Sequence, residues 1–129
     1  NVMINKYDKL LVNGKPGDIT TLTEMTKEFI TPRPNDESAP EVEVKDIELI
    51  GNVMLNKGVV SLKNDRGTSY LMYISVQNEL ARAFNEMRDE MSLKHFNQHY
   101  EDLTDKDKID AINKAVPVRI SEAEPEEIK

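Results

Sequence analysis

The chain has 129 residues, enough for one compact domain with a modest core and too few for two ordinary ones. Its 24 acidic against 17 basic residues leave a net charge of −7 without a basic cluster, which argues against nucleic acid or an anionic membrane surface as partner. It contains no cysteine, which excludes disulfides and thiolate redox chemistry, and no run of about 18 apolar residues that would span a bilayer or form a signal peptide.

Val2, Ile4, Leu10 and Val12 lie in two short β-like runs around residues 5–9, and Asn13-Gly14 and Pro16-Gly17 are turn chemistry. Asp18 caps a predicted helix whose apolar face is Leu22, Met25, Phe29 and Ile30, and which must stop where Thr31 meets Pro32 and Pro34. Residues 31–40 carry three prolines and no periodicity, and read as an exposed loop. Glu alternates with Val at the start of the stretch 41–47, predicting an edge strand with outward glutamates; a short apolar segment, 49–55, follows, so a hairpin-like insertion is expected.

The stretch 59–91 is the most informative. Val60 and Leu62 face one way, Ser61 and Lys63 the other, and after Gly67 the period changes from two to about 3.6. Thr68 is the expected N-cap of a long helix whose stripe runs through Tyr70, Tyr73, Leu80, Phe84, Met87 and Met91, widened by Ile74 and Ala81 and broken by Gln77. Leu93, Phe96, Tyr100 and Leu103 keep helical spacing on a shifted register, so that helix either continues or bends near Ser92. Thr104 with Asp107 resembles a capping box for a short third helix lined by Ile109, Ile112 and Val116 and ended by Pro117. Residues 122–129 hold four glutamates and a proline, the composition of a flexible acidic tail.

His95 and His99, four apart, would share a helix face as in two-histidine zinc sites, but the Glu that a metalloprotease needs after the first His is Phe96, and the pair reads as surface histidines. The acidic run of Asp102, Asp105, Asp107 and Asp110 fails as a calcium loop, because Ile109 occupies a ligand position and Asp110 replaces the required Gly. Gly14, Lys15 and Gly17 match neither phosphate-binding glycine pattern. No nucleophile and base arrangement emerges, so neither an enzyme nor a metal or cofactor site is expected.

Asp65 closing a strand, Tyr70 five positions later and a long helix beyond resemble the core of the periplasmic domain of the ExbD/TolR family. The segment LLVNGKPGDITTLTEMTKEFI is similar to that family's opening strand, turn and first helix, and PVRISEAEP to its closing strand and acidic end. Relative to that pattern, residues 31–58 and 92–116 are insertions in a single domain over 1–121. The elements and the resemblance together predict an α+β two-layer sandwich: two main helices on one face of a small mixed β-sheet, a strand, helix, strand unit with a right-handed crossover, an inserted hairpin and a short third helix.

The resemblance implies a subunit of a proton-motive-force-driven inner-membrane motor, working with an ExbB/TolQ-like channel subunit to energise TonB-dependent outer-membrane transport, or else a TolR-like peptidoglycan-binding anchor. A start at Asn1 without Met suggests that a transmembrane helix with the essential acid precedes this periplasmic fragment. The alternative from another class is a free periplasmic ligand-binding or enzymatic module. Asp65 and Tyr70 are expected to be structural, Asp65 bonding turn amides and Tyr70 laying its ring on the sheet. A homodimer gripping an extended partner segment by strand addition is expected, with Val118 and Ile120 inward and Arg119 outward on the edge strand.

Overall fold

In the computed structural model, which describes residues 1–123, the fold is α+β, with helices packed on a mixed sheet of five strands and a separate sheet of two. The chain divides into two compact units, residues 1–26, 59–82 and the C-terminal segment from 119, and residues 27–58 with 83–118. Both segments marked as insertions, 31–58 and 92–116, fall in the second unit.

In the first unit β1 (Val2–Ile4) pairs antiparallel with β2 (Leu10–Val12), which pairs antiparallel with β3 (Lys15–Pro16). Asn13 at φ 52° and Gly14 at φ 81° make the two-residue turn between β2 and β3, the left-handed geometry whose twist matches a hairpin. Asn5 Oδ1 accepts from the amides of Tyr7 and Lys9 and so closes the loop between β1 and β2. Helix α1 (Ile19–Ile30) starts at Asp18, whose carboxylate accepts from the Thr20 amide, and ends before Pro32.

Strand β6 (Val60–Asn64) then enters beside β1, parallel to it, and helix α2 (Tyr70–Phe96) leads to β7 (Ile120–Glu122) by way of the second unit. The order is β3-β2-β1-β6-β7. Val2, Ile4, Leu10, Val60, Leu62 and Asn64 are buried on one sheet face, as strand periodicity demands. The stripe of α1 is Leu22, Thr23, Thr26 and Ile30; Met25, expected in it, is 41% exposed. The two threonines are buried because their hydroxyls are satisfied, Thr26 by the Leu22 carbonyl at 2.8 Å and Thr23 by the Glu79 carbonyl at 3.1 Å and the Glu79 carboxylate.

Along α2, Val76, Leu80, Ala83, Phe84 and Ser92 are buried, whereas Ala81 is exposed and so does not widen the stripe. The cap is Ser69, not Thr68: Ser69 Oγ accepts from the Met72 amide at 3.1 Å, while the Thr68 hydroxyl is turned to the carbonyls of Ile4 and Asn5. The helix continues unbroken past Ser92, whose hydroxyl donates to the Gln98 carbonyl at 2.7 Å, and ends at Asn97 in the left-handed region, φ 55°.

In the second unit β4 (Val42–Ile47) and β5 (Gly51–Asn56) form an antiparallel hairpin, and helix α3 (Lys106–Ala115) packs on it. Ile47, Val53, Leu55, Ala111, Ile112, Ala115 and Val116 are buried there. The expected alternation of β4 is inverted. The register puts Glu43 and Lys45 opposite Leu55 and Val53, while Val44, 64% exposed, points to the open side with Met54. Asp105, rather than Thr104, caps α3, its carboxylate accepting from the Asp107 amide. Arg88 of α2 donates to the Val116 carbonyl at 2.9 Å and lies over the Tyr100 ring, whose hydroxyl donates to Asn113. Glu122, the first residue of the expected tail, is in β7; residues 124–129 lie outside the described residues.

Leu80 is fully buried. Leu80→Ala is expected to destabilise the fold by about 2–5 kcal/mol through lost burial and a cavity, and Ala81→Ser by under about 0.5 kcal/mol; urea unfolding of both variants checks the assignment of the helix face.

Candidate functional site

The sheet has two unlike edges. β3 is two residues long and one of them, Pro16, has no N–H to offer a further strand. β7 is an ordinary strand that, among the described residues, is held on one side only. The Val60 amide donates to the Arg119 carbonyl at 2.9 Å and the Ala123 amide to the Leu62 carbonyl at 3.1 Å. Peptide groups alternate sides along a strand, so with Arg119, Ser121 and Ala123 turned to β6, the N–H and C=O of Ile120 and Glu122 face away from it. Among the described residues no strand covers that side.

Side chains hold this edge in place. Ile120 lies opposite Val60 on the core face and is half-buried, and Glu122 lies opposite Leu62. Its carboxylate accepts from Gln77 Nε2 of α2, which also donates to the Tyr73 hydroxyl at 3.1 Å. Burial, reinforced by the charge of Glu122, raises the Tyr73 pKa. Two of the three strand residues expected at this edge fall outside β7: Arg119 supplies a carbonyl just before it, and Val118 is 49% exposed rather than inward, because pairing with β6 begins only at Ile120.

Asp65 and Tyr70 are not brought together. Asp65, buried after β6, donates its amide to the Ile4 carbonyl at 2.9 Å, accepts the Gly67 amide at 2.7 Å on its carboxylate and the Thr68 amide on its carbonyl. A Cβ at Gly67 would stand 3.1 Å from Lys6 and 3.2 Å from the Asp65 carboxylate, so the turn closes tightly against the loop after β1. From that loop Asp8 accepts the Ser69 amide at 2.8 Å, a bond that lowers the Asp8 pKa. Tyr70 does not cover the sheet: as the first residue of α2 it projects outward, 78% exposed, beside equally exposed Leu71.

His95 and His99 do not share a helix face, because α2 ends at Phe96 and the chain turns at Asn97. His99 Nδ1 instead meets the Asp89 carboxylate at 3.0 Å, which also accepts the Tyr100 amide at 2.9 Å. Among the described residues no group of three or more potential ligands gathers for a metal, and no helix is long and apolar enough to cross a membrane. That the closing strand lies at an edge was expected from the sequence; which of its peptide groups turn outward was not, because that parity is set by its pairing with β6, a tertiary property. Comparison of the chain with known families, curated proteins and solved structures finds no match.

The amide of Tyr100 and then His99 lower the Asp89 pKa, and Asp89 raises that of His99, whereas burial and Lys94 lower that of His95. The His99 contribution is therefore present below the ordinary imidazole pKa and is lost as pH rises through the raised one, while that of Asp89 is lost as pH falls through its lowered one. In an NMR titration His99 is expected to deprotonate at higher pH than His95, and Asp89→Asn to bring the His99 midpoint down. Calorimetric titration with zinc is expected to show no stoichiometric micromolar binding.

Proposed function

We propose that this chain is the periplasmic domain of an ExbD/TolR-like subunit of a proton-motive-force-driven inner-membrane motor, energising TonB-dependent outer-membrane transport. What supports the reading is the order of elements in the first unit: an opening strand, turn and helix, a strand closed by Asp65, a long helix, and a closing strand that returns beside it. The open edge of β7 is the observation that carries the mode of action. The outward-facing Ile120 and Glu122 backbone groups grip an extended segment of a TonB-like protein by strand addition, which needs no enclosed cavity and transmits a pull along a row of hydrogen bonds. In this reading an ExbB/TolQ-like channel subunit is contacted through a transmembrane helix outside these residues, which also carries the proton-carrying acid, and the working unit is a homodimer.

Titration of TonB-like peptides into ¹⁵N-labelled protein is expected to shift and protect the Ile120 and Glu122 amides, with lesser change at Ser121. Shifts remote from every strand edge would reject strand addition, and binding of peptidoglycan fragments alone would favour an anchoring role. Reading the coding sequence upstream of Asn1 tests the membrane part: about 20 apolar residues containing one Asp or Glu are expected.

A further inference from the structure

A second open edge lies in the other unit. The Lys57 amide donates to the Glu41 carbonyl at 2.8 Å, and the register pairs Glu43 with Leu55 and Lys45 with Val53. Peptide groups of Glu41, Glu43 and Lys45 therefore face β5, and those of Val42, Val44 and Asp46 face outward. Among the described residues β4 has no other strand neighbour, and residues 43–46 are all exposed.

We propose that the outer edge of β4 pairs antiparallel with β4 of a second copy of this chain, about a two-fold axis through Val44. In that register Val44 faces its own copy and exchanges both N–H···O bonds, and Val42 pairs with Asp46 of the second copy in the same way, so every outward peptide group finds a partner. Glu43 then stands opposite Lys45 of the second copy, and Lys45 opposite its Glu43, at the non-hydrogen-bonded positions where side chains come closest. The exposed Val44 side chains form a direct cross-strand pair of β-branched residues on the open face.

The other two-fold registers fail. Centring on Val42 sets Glu41 against Glu43 and spends Pro40, which has no N–H, on Val44. Centring on Asp46 sets that carboxylate against itself and gives Lys45 an uncharged neighbour, Ile47. Centring on Glu43 or Lys45 still pairs outward peptide groups but sets Glu43 against Glu43 or Lys45 against Lys45, and a register of odd offset presents inward-facing peptide groups to the second copy. The outer edge of β5 offers no charges, and its last residue is engaged, Asn56 donating to the Phe29 carbonyl at 2.8 Å and accepting from the Gly58 amide. This β4 interface does not depend on the motor reading, since it uses none of the strand residues assigned to partner binding.

The test is sedimentation velocity of the wild type, Glu43→Lys, Lys45→Glu and the double reversal, with amide hydrogen exchange at low and high concentration. The wild type is expected to dimerise within a ceiling of about 1 mM, with concentration-dependent protection at Val42, Val44 and Asp46. Each single reversal turns two symmetry-related attractions into like-charge pairs and is expected to weaken association by about tenfold or more. The double reversal restores opposite charges and is expected to recover the dimer. Both side chains are exposed, and circular dichroism verifies that each variant is folded. A monomer throughout, a dimer indifferent to the single reversals, no recovery in the double variant, or protection at Ile120 and Glu122 in place of β4 would each overturn the proposal.

Discussion

Everything in the first unit depends on the parallel pairing of β6 with two strands remote in sequence, β1 before it and β7 after it. Parallel neighbours cannot be joined by a tight turn, so each pairing obliges the chain to leave one end of the sheet and return to the other. Helices α1 and α2 begin those two excursions. Such a crossover tolerates added length, because the entropy of closing a long loop grows only slowly with its residues. That tolerance lets residues 31–58 and 92–116 lie within the two excursions while Leu62 stays opposite Val2, Asn64 opposite Ile4 and Val60 opposite Ile120.

Residues 31–58 and 92–116 carry apolar residues of their own that must be buried. The burial is local: Ile47, Val53 and Leu55 of the hairpin are covered by the Ala111, Ile112 and Ala115 side of α3. A two-stranded hairpin is marginal alone and needs such a helix. The result is a second compact unit that carries one covered sheet face and one open face, with Val44 and Met54 on the latter.

Much of this was legible. The alternation of Val60 and Leu62, the turn at Asn13-Gly14, the stop at Pro32 and the stripe through Leu80 and Phe84 are local signals whose local structure follows them. Some of the misses come from competition for a group by something distant in sequence, others from local bonding or a local turn. Thr68 has cap chemistry, but carbonyls of the β1 end take its hydroxyl and leave Ser69 to cap. Thr23 and Thr26 look like solvent-facing residues of α1 until the acceptors at Glu79 and Leu22 are known, and their burial displaces Met25. The spacing of His95 and His99 suggested a shared face only while the helix was assumed to run on, and Asn97 at φ 55° ends it between them.

Edges are where legibility runs out in a different way. Whether a strand offers its backbone to a partner depends on which alternate residues its existing neighbour has taken, and that parity is invisible in a composition or a period. At β7 the bonds from Val60 and Ala123 leave Ile120 and Glu122 outward; at β4 the bond from Lys57 leaves Val42, Val44 and Asp46 outward. Glutamates flanking β4 look like protection against edge pairing when read one residue at a time. With the parity known, Lys45 lies two residues from Glu43 across an outward-facing Val44, and that spacing converts a repulsive edge into one that is complementary to itself in a single register.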